Sequence, residues 1–161
     1  MDASSGNDYI IYIVSTYSQI LFRAAYMILH SKNDAEDAVQ DVFVKLIKKK
    51  PKFNDNEHEK AWLLRVTINT AKDILRKRKH NIPQIIQEVS DFYENDESDL
   101  LHAVMSLDEK YSTIIHLYYY EDYSIAEIGK LLSIPAATVG TRLSRARILL
   151  RNKLKGVVFD E

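Results

Sequence analysis

The stretch from Tyr123 to Arg151 limits the fold more than any other, because helix-start and helix-stop signals fall there in the order of a helix-turn-helix. Ser124 followed three residues later by Glu127 forms a capping box, worth about 1 kcal/mol, that opens a short helix carrying Ile125, Ile128, Leu131 and Leu132. That helix is expected to end near Ser133. Pro135 suits a first helical turn, where its missing N–H would be unpaired anyway, so a second helix is predicted from Pro135 to Asn152.

With roughly 100° between successive residues, Val139, Leu143, Ala146 and Leu150 gather on one side of that second helix, and Ala137, Thr138, Thr141, Ser144, Arg145 and Ile148 gather opposite. Arg142, Arg147 and Arg151 flank the small-residue face. Small polar centres with cations along both edges suit a helix lying in a major groove between two phosphate rows. An amphipathic helix with a solvated basic face would carry the same pattern, so both readings stand at this point.

Bulk properties set the frame. A chain of 161 residues, 46% hydrophobic, can build one ordinary core or two small ones. There are no cysteines, hence no disulfide framework and no thiolate metal site. The first residues lack a basic secretory n-region, and the apolar run from Tyr9 to Val14 is too short to span a bilayer, so a cytoplasmic protein is expected. The net charge of −1 conceals an alternating pattern. Lys60, Arg65, Lys72, Arg76, Lys77, Arg78 and Lys79 share their segment with Asp73 as its only acid between Lys60 and Lys79, and Arg142 to Lys155 forms a second basic block. Between them, from Asn81 to Leu101, every charge is negative, which sets two phosphate-seeking modules apart.

Apolar residues recur at three and four, Gly and Pro are scarce, and alternating runs are absent, so the fold class is all-α. A first helix is predicted over Asp8 to His30, with Ile10, Ile13, Val14, Tyr17, Ile20, Leu21, Ala24 and Ile28 inward. Asn33 with Glu36 predicts the cap of a second helix reaching Lys49, with Ala35, Ala38, Val39, Val42, Phe43 and Leu46 buried. Its other side sets Asp34, Asp37 and Asp41 in a narrow arc with Gln40 and Val44 beside them. Such a face can dock a protein, or it can be a solvated face whose acids favour the positive helix N-terminus.

The polar stretch Lys50 to His58 separates this helix from a third, predicted over Glu59 to His80. Leu64, Ile68, Ala71 and Leu75 form its inward stripe, whereas Arg65, Asn69, Lys72, Arg76 and Lys79 line up outside with Trp62 close by. Cations, an amide and an aromatic ring are the equipment for holding phosphates and stacking bases of a single strand, although a lone Trp also serves as core. Residues 81–98, with Pro83 and the acidic cluster, read as a linker, giving domains at 1–80 and 99–161. In the second domain, helices are predicted over Asp99 to Met105 and Asp108 to Tyr120 before the helix-turn-helix.

Catalysis finds no support. The five histidines fall on different segments with no carboxylate or second histidine at ligand spacing on a shared face, and no phosphate loop, nucleophile elbow or metalloprotease motif is present. No enzyme activity, cofactor or metal is expected.

Two separated basic modules and an acidic docking face resemble a bacterial RNA polymerase sigma factor of the extracytoplasmic-function class (group IV of the sigma-70 family), which keeps only sigma regions 2 and 4. Asp34-Ala-Glu-Asp-Ala-Val-Gln-Asp-Val-Phe43 is similar to region 2.2, Ala61 to Arg78 to regions 2.3 and 2.4, and Ser124 to Arg151 to region 4.2. The resemblance runs from about Ile20 to Lys153. It implies a transcription initiation factor that binds core RNA polymerase through the β′ clamp helices and the β flap, recognises promoter DNA, and meets an anti-sigma factor. By this likeness Asp34, Asp37, Gln40, Asp41 and Val44 would contact polymerase. Trp62, Arg65, Asn69, Lys72 and Arg76 would act on the minus-ten element, with the Lys50 to Glu59 loop holding a flipped base. Thr138, Thr141, Arg142, Ser144, Arg145 and Arg147 would act on the minus-thirty-five element.

Three positions depart from the family pattern: Gly129 stands for the usual Ala at the helix crossing, Ser133 for the turn Gly, and Gly140 for a frequent Lys or Arg. No further C-terminal domain is expected after Glu161. The rival reading is a free-standing regulator that binds an operator through Ser124 to Arg151; it leaves the Asp34 face and the Arg65 to Arg76 stripe without a role. An RNA-binding helical protein is a weaker rival.

Overall fold

Polar caps decide where each helix begins. A computed structural model of the chain describes residues 3–78 and 98–155, so that of the acidic segment expected as a linker only Ser98, the first residue of a helix, is among the described residues. The fold is all-α: α1 (Ala3–Leu29), α2 (Lys32–Lys49) and α3 (Asn56–Lys77) form one unit, while α4 (Ser98–Met105), α5 (Glu109–Ile115), a π-helical turn (His116–Tyr120), α6 (Ile125–Leu132) and α7 (Ala136–Lys155) form a second.

In the first unit all three helices pack on one another. Ile13, Leu21, Leu29, Leu63, Leu64 and Ile68 are fully buried between them, each such side chain contributing about 1.5–3 kcal/mol. The predicted cap at Asn33 is not used. Ser31 takes that place, with extended backbone and its hydroxyl accepting from the Asp34 N–H at 3.2 Å, because His30 leaves the helix in the left-handed region (φ 55°) just before it. Likewise α3 starts three residues earlier than predicted, since Asp55 accepts from the His58 N–H at 2.7 Å. The inward face of α3 is wider than the predicted stripe: Leu63, Thr67 and Thr70 are buried with Leu64, Ile68 and Ala71, whereas Leu75 is half-exposed. A helix wedged against two neighbours must bury more than one stripe. Val14, predicted inward, is exposed beside Ile11 and Tyr12 on the first turns of α1, and Phe43 is half-buried.

In the second unit α7 touches α4, α5 and α6. The capping box of α6 is present in both directions: Ser124 accepts from the Glu127 N–H at 3.1 Å, and Glu127 accepts from the Ser124 N–H at 2.9 Å. Ser133 ends α6 in the left-handed region (φ 59°), its N–H directed to the Gly129 carbonyl. Gly129 sits at the tightest point of the turn, where an added Cβ would lie 2.9 Å from the Ile134 carbonyl oxygen and 3.3 Å from the Ala136 nitrogen. Absence of a side chain at 129 is therefore what lets α7 start so close to α6.

Candidate nucleic-acid interface

The outward face of α7 is open. Val139, Leu143 and Ala146 are buried, Leu150 is half-buried, and Ala137, Thr141, Ser144, Arg145 and Ile148 are exposed, as their spacing predicts. Thr138 and Arg142 are half-exposed at its edge, and the Thr141 hydroxyl donates to the Ala137 carbonyl at 3.0 Å, which fixes its rotamer. The helix therefore presents a low ridge of small side chains with long cations rising beside it. A duplex groove can approach such a ridge closely, so that Arg145 reaches base edges while neighbouring cations meet phosphates.

Arg147 is exposed as well but differs from that set in its contacts. Its Nε–H donates to the Tyr119 hydroxyl at 2.8 Å, and its guanidinium carbon lies 5.7 Å from the ring centroids of both Tyr118 and Tyr119. The tyrosines stand on the π turn. His116, 1% exposed, places Nε2 3.3 Å from Glu121 Oε2. The expectation that no histidine shares a face with a carboxylate fails here for a geometric reason. On an α-helix residues five apart point about 140° away from each other, but a π turn closes i to i+5, as the Glu121 N–H does on the His116 carbonyl at 3.1 Å. The pair forms no metal cluster; groups of three or more metal-ligating side chains are absent among the described residues.

On α3, Arg65, Asn69 and Arg76 are exposed and Lys72 half-exposed along one side. Arg76 pairs with Asp73 at 3.2 Å, both largely in solvent, which is worth well under 1 kcal/mol and yields readily to a phosphate. Trp62 is half-buried and meets the Phe53 ring edge-on at 5.8 Å, and Phe53 in turn meets His58 at 5.3 Å. The loop before α3 is thus folded against the helix as one aromatic cluster beside the cations, neither fully in the core nor free of it.

The acidic side of α2 divides. Asp37, Gln40 and Asp41 are exposed, as is Val44 at 46%. Asp34 is engaged within the unit: Arg78, just past α3, donates from Nη1 to Asp34 Oδ2 and from Nη2 to the Leu29 carbonyl, tying the end of α1 to the start of α2. Periodicity placed Asp34 on the right side of its helix but could not reveal a partner 44 residues away. The same holds for Glu59, buried at 6% exposure, which accepts from the Tyr9 hydroxyl at 2.9 Å and the Tyr17 hydroxyl at 3.0 Å. Burial and the Glu59 carboxylate push the Tyr9 pKa up to about 12 and that of Tyr17 higher still.

Comparison with known proteins supplies the context for these faces. Residues 13–81 match sigma-70 region 2, and residues 97–150 match sigma-70 region 4. The chain is 30% identical over 148 residues to the RNA polymerase sigma factor SigV of Bacillus subtilis, covering 88% of each chain. It is 28% identical over 163 residues to the ECF RNA polymerase sigma factor SigW of the same organism, covering 89% of this chain and 87% of that one. Among solved structures, the sigma factor RpoE from Bartonella quintana, in complex with the anti-sigma factor NepR, has the same fold, with a TM-score of 0.77 at 23% identity over 96% of this chain and 99% of that one. CnrH, in complex with the cytosolic domain of CnrY, aligns with a TM-score of 0.71, covering 96% of this chain and 92% of that one. No described helix is long and apolar enough to cross a membrane. Regions 2 and 4 in order, on two helical units with basic outward faces, identify the chain as a member of the extracytoplasmic-function sigma factors, a non-enzymatic family of promoter-recognising transcription initiation factors.

Proposed function

We propose that the first unit docks on the polymerase β′ clamp helices through Asp37, Gln40, Asp41 and Val44 of α2, and engages the minus-ten element with Trp62, Arg65, Asn69, Lys72 and Arg76. The second unit reads the minus-thirty-five element with Thr138, Thr141, Arg142, Ser144 and Arg145. Residues 1–80 and 99–161 are the two working domains, 81–98 joins them, and the protein acts in the cytoplasm. The carrying observation is the α7 face, where exposed small side chains alternate with cations over a buried Val139, Leu143 and Ala146.

A groove of about 620 Å³ in the second unit, lined by Leu100, Val104, Leu150 and Leu154 together with Tyr119 and Arg147, supports docking of the β flap or of an anti-sigma factor there. The test is reconstitution of the full chain with core RNA polymerase on a library of promoter fragments, read by run-off transcripts. Discrete start sites that require the added protein are expected. Tight, sequence-specific binding of the free protein to DNA, with no effect on initiation by core, would establish the free-standing regulator instead.

A further inference from the structure

Arg147 sits in the basic block of α7, yet its surroundings set it apart from the other cations there. A phosphate-seeking arginine gains from a free guanidinium; this one has its Nε–H on the Tyr119 hydroxyl at 2.8 Å and its plane close to two rings that meet edge-on at 4.9 Å. Those rings are adjacent in sequence and reach the same cation because they stand on a π turn. That turn is held by His116 stacked on Tyr120 at 5.7 Å and by the Tyr123 N–H on the Leu117 carbonyl at 3.0 Å, and His116 Nε2 lies 3.3 Å from Glu121 Oε2. On α7 the fully buried residues end at Ala146, so Arg147 is the first side chain past the core. Contacts beyond it decide how the C-terminal half of the helix is rotated and tilted.

We propose that Arg147 is a positioning residue: through Tyr119 and Tyr118 it fixes the orientation of α7 on the π turn, and it supplies no phosphate contact in the promoter complex. The proposal rests on the reading of α7 as the recognition helix. It accounts for the π turn, an otherwise unexplained break in α5, as the device that brings two tyrosines to one arginine. It also makes the Arg147 requirement geometric. Lysine has the charge but neither the Nε–H nor the planar group that lies against the rings.

The experiment uses holoenzyme assembled from core polymerase and the full chain, on a duplex selected by the wild-type holoenzyme from a library randomised across the upstream element. Affinity is titrated against salt for Arg147→Ala, Arg147→Lys, Tyr119→Phe and Arg145→Ala. Both Arg147 variants are expected to weaken binding to a similar degree, roughly three- to fivefold, and Tyr119→Phe roughly twofold, with the slope of log affinity against log salt unchanged. Thermal unfolding should stay near wild type, since Arg147 and Tyr119 are exposed. A slope reduced by about 0.9 in Arg147→Ala, with Arg147→Lys retaining affinity, would show a phosphate contact and overturn the proposal. So would a silent Tyr119→Phe alongside a weakened Arg145→Ala. If Arg145→Ala is silent as well, the recognition-helix reading fails, and this inference with it.

Discussion

The two units are held together, and exposed, in different ways. Helices of the first are cross-linked by polar side chains: Glu59 to Tyr9 and Tyr17, Arg78 to Asp34 and the end of α1, Lys45 to Thr70 at 3.0 Å. It shows acid on α2 and base on α3. The second unit closes chiefly by close backbone approach at Gly129 and by caps, with the Arg147–Tyr119 bond tying α7 to the π turn, and the outward side of α7 carries base alone. On the proposed roles, a unit that grips a protein and a nucleic acid at once needs two faces of opposite sign held at a fixed angle, and polar cross-links set such angles because they are directional. A unit that reads one groove needs chiefly a correctly placed helix.

Charge reversal on the acidic face should break this division most severely. Asp37→Arg with Asp41→Arg is expected to abolish association with core polymerase, a loss of several kcal/mol, because both carboxylates are exposed and no bond among the described residues explains them. The fold should persist. Co-purification of the double variant with core at wild-type yield would remove α2 from the interface. The Asp34 carboxylate serves as a contrast, since its loss should lower stability through Arg78 before it lowers docking.

The polar ties themselves come next in size. Glu59→Ala removes the acceptor shared by two tyrosines and leaves the buried Tyr17 hydroxyl without it, so urea unfolding should show the first unit weakened by about 2–3 kcal/mol. A loss below about 0.5 kcal/mol would mean that water replaces the carboxylate freely and that the ties do not hold the helices.

Legibility followed the same division. The α6–α7 turn and both faces of α7 were readable because a capping box, a proline and a 3.6-residue period are local signals, and sterics there obey them. Misreadings arose where a partner far along the chain or a non-α turn intervened. The Asp34–Arg78 pair and the Glu59 clamp depend on residues brought together by packing, the Ser31 cap on where His30 leaves α1, and the His116–Glu121 pair on a π turn that 3.6-residue periodicity cannot express. The small residue at 129 was recognised from the sequence, but the contact that demands glycine there becomes visible only with Ile134 and Ala136 in place.

That contact yields a sharper test of how the second unit closes. Gly129→Ala should destabilise it by roughly 1 kcal/mol despite the better helix propensity of alanine, because the new Cβ meets rigid backbone at 2.9 Å. Ser133→Gly should act the other way, by about 0.5–1 kcal/mol, since it relieves a left-handed non-glycine residue at φ 59°. If Gly129→Ala raised the melting temperature, the turn would have to open in solution and close approach would not be the organising constraint.

The smallest expected effect lies at the corner where Arg78 ties the end of α1 to the start of α2. His30 is half-buried, left-handed, and has Nε2 3.0 Å from the Met27 carbonyl oxygen. Burial, and to a lesser degree the neighbouring Arg78, hold its pKa below the ordinary value of 6.5, against the opposing pull of the Met27 carbonyl. As pH falls through 6.5, the unfolded chain therefore takes up this proton before the folded one does, and the first unit loses stability on the acid side while gaining nothing above it. Asparagine tolerates the left-handed conformation and does not titrate, so His30→Asn should shrink the difference between urea midpoints measured at pH 7.0 and 5.5. Other titrating groups contribute equally to both proteins and cancel in the double difference. An unchanged difference would mean that His30 takes its proton as easily in the folded protein as in the unfolded chain, and that the Arg78 corner relaxes around the charge at no cost.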